Sequence, residues 1–258
     1  MHLFATPVMH EPNPIGAAAP ASQQRVFVLV HGGFHGGWCW DEVALRLRAL
    51  GHVVHAPTQT GCGERAQLLT RSITLDTFVE DITEVFLRED LHDVVLVGHS
   101  FGGSAISGVA DRMPERVSQL IYLDAIMLDN GKTTFDLLDP DAVQSRLNAA
   151  QASGGLAIAP PPAGVFGISD PAQLHFVQAR LTSHPLGAYT SPLKLAHPVG
   201  NGLPAVYLQC TDPIYAALQS SRDWVDAHGM QRMEIATGHD AMISAPGLLV
   251  EMLVRIAA

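Results

Sequence analysis

A chain of 258 residues, 47% hydrophobic and 16% charged, can build one large core and is too apolar to be a disordered or fibrous protein. Its 25 acidic against 15 basic residues give a formal net charge of -10, which sets the surface against nucleic acid and anionic membranes as partners. No stretch approaches the ~18 uninterrupted apolar residues of a membrane span.

Residues 1–24 carry Pro7, Pro12, Pro14 and Pro20 and lack the basic start and unbroken apolar run of a secretory signal. They read as an irregular arm, with small residues at 19–21 keeping export as the alternative. Cys39, Cys62 and Cys210 are odd in number and far apart, without a C-x-x-C pair, which fits reduced thiols in a cytoplasm. Residues 26–30 form a continuous apolar run rich in β-branched valine and ending at a glycine-rich turn, the pattern of a strand buried on both faces. A short amphipathic helix over 41–50 stops at Gly51, and a strand begins at 53–56. Thr74 caps a helix over 75–87, followed by a strand at 93–97, a helix at 104–113 halted by Pro114, and a strand at 119–123. This alternation calls for an α/β fold, a mostly parallel central sheet flanked by helices. From about 127 to 203 the rhythm breaks at prolines, including Pro140, Pro160, Pro171 and Pro198, with short helical patches such as 171–181. That segment reads as an inserted lid, or cap, within a single domain over 25–258. Strand 204–209, a helix near 215–227, strand 231–235 and a helix at 247–256 complete the order.

The motif that carries chemistry is Gly98-His99-Ser100-Phe101-Gly102, placed directly between a strand and a helix. A G-x-S-x-G in that context exposes the serine on a tight corner, with the helix start offering backbone donors. A serine hydroxyl needs a base within hydrogen-bond reach, and His239, in the loop after the last strand, lies in the chain order serine, acid, histidine. Asp212, after the penultimate strand, is the preferred acid. Asp124, ending the strand after the nucleophile helix, is the rival. Asp240 adjoins the histidine and cannot easily turn back to orient it. The oxyanion of acyl transfer would meet the N–H groups of Phe101 and Gly33, the latter from the loop His31-Gly32-Gly33-Phe34.

The runs Val28-Leu29-Val30-His31-Gly32-Gly33, His35-Gly36-Gly37-Trp38-Cys39-Trp40 and Val97-Gly98-His99-Ser100-Phe101-Gly102-Gly103 resemble the α/β-hydrolase branch holding plant methylesterases, hydroxynitrile lyases and bacterial esterases. Residues 57–65 resemble its bacterial members in particular. The resemblance covers the chain from about residue 26 onward, weakly through the lid. It implies a cofactor-free, metal-free hydrolase with Ser100, Asp212 and His239 in the triad positions. The cyanohydrin-cleaving members place a threonine in the first loop and a lysine after the histidine, where this chain has Gly32 and Asp240. The lyase reading is therefore disfavoured.

The expected reaction is two-step acyl transfer on a small to medium, largely apolar carboxylic ester. Phe34, Trp38, Phe135, Phe166 and Tyr189 are the expected substrate-binding side chains, with Leu137, Leu138 and Phe176 beside them. Amide or carbamate bonds suit the same apparatus. A receptor-like binder is the alternative from another class, and a metal hydrolase built on His31 and His35 ranks last, because glycines between them deny a helix. Nothing in the sequence bars a homodimer.

Overall fold

The structure is a computed structural model that describes residues 24–258, so the expected N-terminal arm lies outside the described residues. The strands are β1 (Val26–Val30), β2 (Val53–His55), β3 (Val94–His99), β4 (Val117–Leu123), β5 (Ala157–Ile158), β6 (His184–Pro185), β7 (Ala205–Cys210) and β8 (Gln231–Ile235). All but β5 and β6 join one sheet in the order β2-β1-β3-β4-β7-β8, and every pairing in it is parallel. The helices are α1 (Asp41–Ala49), α2 (Leu75–Arg88), α3 (Gly102–Arg112), α4 (Pro140–Gln151), α5 (Pro171–Gln178), α6 (Leu186–Thr190), α7 (Gln219–Ala227), α8 (Ala241–Ser244) and α9 (Pro246–Ile256).

Two cores explain why the strands read as unbroken apolar runs. Along β1 the side chains alternate: Phe27 and Leu29 pack with Leu47 of α1 and Leu249 and Leu253 of α9, whereas Val28 and Val30 pack with Phe78 and Ile82 of α2 and Ile106 of α3. All six residues of β3 are buried. Each fully buried Leu, Ile or Phe contributes roughly 1.5–3 kcal/mol, so helices on both faces are needed to cover such strands.

Thr74 caps α2 as expected, in a reciprocal pair with Thr77. Helix α3 starts two residues earlier than the apolar pattern indicates. A Cβ on Gly102 would lie 2.8 Å from the carbonyl oxygens of Val30 and His31, so glycine lets the helix begin pressed against the β1 loop. The helix expected near residue 215 begins only at Gln219, because Tyr215 is held extended in the loop before it.

Between β4 and β7 the chain adds nothing to the parallel sheet and instead forms α4, α5, α6 and the antiparallel pair β5–β6. Two prolines that interrupt the sequence rhythm there, Pro140 and Pro171, occupy first turns of helices behind the capping aspartates Asp139 and Asp170. Strands β2 and β3 flank β1 on opposite sides, which opens a crevice at the carboxyl ends of β1 and β3. Both glycine loops singled out in the sequence lie at that edge.

Candidate active site

Ser100 follows β3 at a φ of +52°, a left-handed conformation that non-glycine residues rarely adopt. Backbone bonds hold it there: its N–H donates to the Leu123 carbonyl at 3.1 Å, and its carbonyl accepts from Ile126 N–H at 2.8 Å. The β1 loop lies so close that a Cβ on Gly32 would fall 2.8 Å from the Ser100 Cβ and 2.9 Å from His99 Nδ1. The threonine that the lyases resembling this chain carry in that loop would not fit without a shift.

His239, 1% exposed, is met by Asp124 and not by Asp212. Its Nδ1–H donates to Asp124 Oδ2 at 2.7 Å, while Asp124 Oδ1 accepts the Cys210 N–H at 3.4 Å. The preference for Asp212 is thus corrected. Register explains the outcome: Leu123 lies level with Leu208, so Asp124 is level with Gln209, and Asp212 comes three residues later, about 10 Å at 3.3 Å per residue. Asp212 is exposed, and its N–H donates to the Thr237 carbonyl. The loop that carries it contributes Tyr215, whose ring stacks on His239 at 4.2 Å between centroids.

Gly33 and Phe101 flank Ser100, and neither backbone N–H is taken up by a protein acceptor among the described residues. The next residue, Phe34, has a φ of +69°, and the lid holds it on both sides: its carbonyl accepts the Thr182 N–H at 2.9 Å and its N–H donates to His184 Nδ1 at 3.4 Å.

A second buried pair lies behind the first. His35 Nε2 donates to Asp240 Oδ2 at 3.0 Å, and His35 Nδ1 lies 2.8 Å from the Gly33 carbonyl, so the pair joins the donor loop to the histidine loop. Burial pushes the His35 pKa down, but the charge and hydrogen bond of Asp240 outweigh it and the net direction is up. Beside it, burial and the neighbouring His239 and His35 hold His99 well below the ordinary histidine range, so it is neutral. His99 Nε2 donates to the His239 carbonyl at 3.0 Å. Polar atoms of His99, His239 and Asp240 come within 4.8 Å of one another, yet a metal there would compete with the Asp124 and carbonyl bonds just described. His31 is spent on structure, with Nδ1 on the Gly32 carbonyl and Nε2 accepting the Gln59 N–H.

Ser100 opens into a chamber of about 50 Å³, lined by Gly33, Phe34, Phe166 and Tyr189 together with Leu137, Leu138, Tyr215 and Arg146. Three of the five expected substrate-binding side chains are therefore brought together. The other two are not. Trp38 stacks on His35 and meets Phe176 edge-on, and Phe135 packs behind Tyr189. Trp38 is an aromatic residue near a catalytic loop and Phe135 one from the lid, and neither placement tells which side of the wall a ring occupies. A wider surface groove of about 800 Å³ lies at the amino ends of β7 and β8, beside Trp224 and His228, on the opposite edge of the sheet from Ser100. Among the described residues no helix is long and apolar enough to cross a membrane.

The sequence profile of the alpha/beta hydrolase family matches residues 27–252. A carbendazim hydrolyzing esterase of Nocardioides sp. (strain SG-4G) is 36% identical over 245 residues, which cover 89% of this chain and 98% of that protein. Methylesterase 1 of Arabidopsis thaliana is 38% identical over 120 residues, 45% of each chain. Among solved structures, an extracellular alpha/beta-hydrolase from a Paenibacillus species, described as sharing structural and functional homology with tobacco salicylic acid binding protein 2, aligns at a TM-score of 0.79. It is 25% identical, over 90% of this chain and 98% of its own.

Proposed function

This chain belongs to the α/β-hydrolase family and is a carboxylic ester hydrolase, and on that premise we propose that it works through Ser100, His239 and Asp124 by way of an acyl-enzyme. The observation that carries the proposal is the buried 2.7 Å bond from His239 to Asp124 at the sheet edge where Ser100 emerges. With Nδ1 committed to the carboxylate, Nε2 is the nitrogen left to take the serine proton. Ser100 Oγ attacks the ester carbonyl, and the Gly33 and Phe101 N–H groups receive the negative charge that develops on its oxygen. His239 returns the proton to the departing alcohol. Water, deprotonated by the same nitrogen, then releases the acid and restores the serine.

The mostly apolar chamber wall supports a small to medium ester with an apolar body. Cys39, Cys62 and Cys210 are buried and unpaired, which supports a reducing, cytoplasmic setting. The test is a panel of chromogenic and methyl esters, varied separately in acid and alcohol, with carbendazim added because a relative matched over 98% of its length is named for hydrolysing it. Ser100→Ala should abolish turnover of every responsive compound while leaving the melting transition in place. Turnover that survives this substitution would sink the mechanism. An organophosphonate that labels Ser100 in a protein without multiple turnover would favour a receptor-like binder.

A further inference from the structure

Two polar groups on the chamber wall have no part in acyl transfer. Arg146, projecting from α4, lines the chamber with Ser100, and its guanidinium has no salt-bridge partner among the described residues. Thr134 lines the same chamber, is 2% exposed, and has a buried hydroxyl without a hydrogen-bond partner. Apart from these, Ser100 and two tyrosine phenols, the lining side chains are apolar. Arg146 is half-buried, so its guanidinium meets both the apolar wall and solvent without a carboxylate partner, and the fully buried Thr134 hydroxyl lacks the bond such a group ordinarily has. The phenols do not supply the missing charge. Burial raises Tyr189 to about 12, with the positive charge of Arg146 and a hydrogen bond from it opposing part of the shift, and burial raises Tyr215 against the same charge, so both phenols are neutral near pH 7.

Position gives the cation its reach. Arg146, Phe34 and Tyr215 line the Ser100 chamber on one side and an adjoining groove of about 410 Å³, bounded by Pro160 and Pro161, on the other. The inner chamber, about 50 Å³, is the smaller of the two spaces. A substrate too long for it, with its ester carbon at Ser100, extends into the groove, and its remote end then passes Arg146.

Resting on the triad reading above, we propose that Arg146 is a specificity-determining residue that selects esters carrying a carboxylate remote from the scissile bond, with the Thr134 hydroxyl as a second donor to the same molecule. The apolar wall accepts the body of such a substrate, and the guanidinium supplies a fork of donors matched to a carboxylate.

Two pairs of esters test this, one for each side of the scissile bond. Mono-p-nitrophenyl adipate is compared with p-nitrophenyl heptanoate, and 6-acetoxyhexanoate with hexyl acetate. The expected result is a kcat/KM ratio favouring the anionic member by about tenfold in at least one pair, as a charge-assisted hydrogen bond provides. Arg146→Gln should bring that ratio close to one, Arg146→Lys should restore part of it, and added salt should weaken it. No preference in either pair, or a ratio that Arg146→Gln leaves unchanged, would overturn the proposal and make Arg146 a wall residue. Binding of monomethyl adipate against methyl heptanoate to the Ser100→Ala protein, measured by calorimetry with and without Arg146→Gln, reads the same selectivity without turnover. Equal affinity for the two esters would also overturn it. Hydrolysis persisting in Ser100→Ala would instead count against the triad and leave the anion selectivity to stand or fall on binding.

Discussion

His239 and Asp240 are neighbours in the chain that serve two separate buried pairs. His239 reaches Asp124 across the ends of β4 and β7, whereas Asp240 reaches His35 behind the first glycine loop. Both pairs are almost fully buried and at hydrogen-bond distance. They differ in what adjoins them. His99 and Phe166 pack on both histidines, but the Asp124 pair lies under Tyr215 at the edge where Ser100 emerges, and the Asp240 pair lies against Trp38 behind the first glycine loop. A buried histidine–carboxylate contact is therefore not by itself a mark of chemistry: position relative to Ser100 separates the pair proposed to react from the one that ties two loops together.

The comparison can be broken most directly at the carboxylates. Asp124→Asn should lower kcat by about 10⁴-fold, the scale for losing the group that holds a catalytic imidazole in its tautomer, while Asp212→Asn changes it by about twofold or less. Steady-state kinetics on any responsive ester reads both, and the reverse order would restore Asp212. Asp240→Asn should act on folding, because an unmatched partner is left buried. A loss of about 3 kcal/mol in urea unfolding is expected, with kcat per folded molecule within about tenfold of the parent. A collapse of kcat at unchanged stability would instead move Asp240 into the reaction.

The histidines sharpen the contrast through pH. Burial lowers His31 to about 4 and His184 to about 3, so between pH 6.5 and those values the unfolded chain binds protons that the folded chain refuses. Stability should fall as pH drops through that window, by about 3 kcal/mol for His31 alone at 1.36 kcal/mol per pKa unit. His35 works in the opposite sense. Its raised pKa contributes stability that is complete below pH 6.5 and is lost as pH rises through the folded-state value. Melting temperatures from pH 4 to 9 should thus fall on the acid side, and His35→Gln should flatten only the neutral-to-alkaline decline. A parent protein with a flat acid limb would contradict the buried neutral histidines. The smallest effect is expected at Tyr215→Leu, where loss of the stacked ring over His239 should change kcat/KM a few-fold, the scale of an aromatic contact.

The sheet was largely legible because parallel strands covered on both faces must be largely apolar, as Val94, Val95, Leu96 and Val97 of β3 are, and because glycines mark where loops approach the nucleophile. Ser100 and His239 could be placed from the strand-to-helix motif and the last loop. The acid could not be settled, since Asp124 and Asp212 both follow strands at the same edge, and only the register of β4 against β7 distinguishes their levels. The lid hid most of the wall. Arg146 lies on a helix with weak amphipathic character, and Thr134 in a short turn, so no periodicity tells which side of either faces the chamber. Trp38 and Phe135 lie outside the chamber lining for a similar reason: an aromatic residue near a catalytic loop or in the lid can sit on either side of the wall.

The two bonds that Thr182 and His184 make to Phe34 have a kinetic meaning. They clamp the residue next to Gly33, so the lid segment that roofs the chamber and the proposed oxyanion cradle are fastened as one piece. A molecule bulky enough to prop the roof open also strains those fastenings and draws the cradle out of register. Size exclusion at this site would then be read in kcat as well as in KM, with oversized esters bound but slow to acylate.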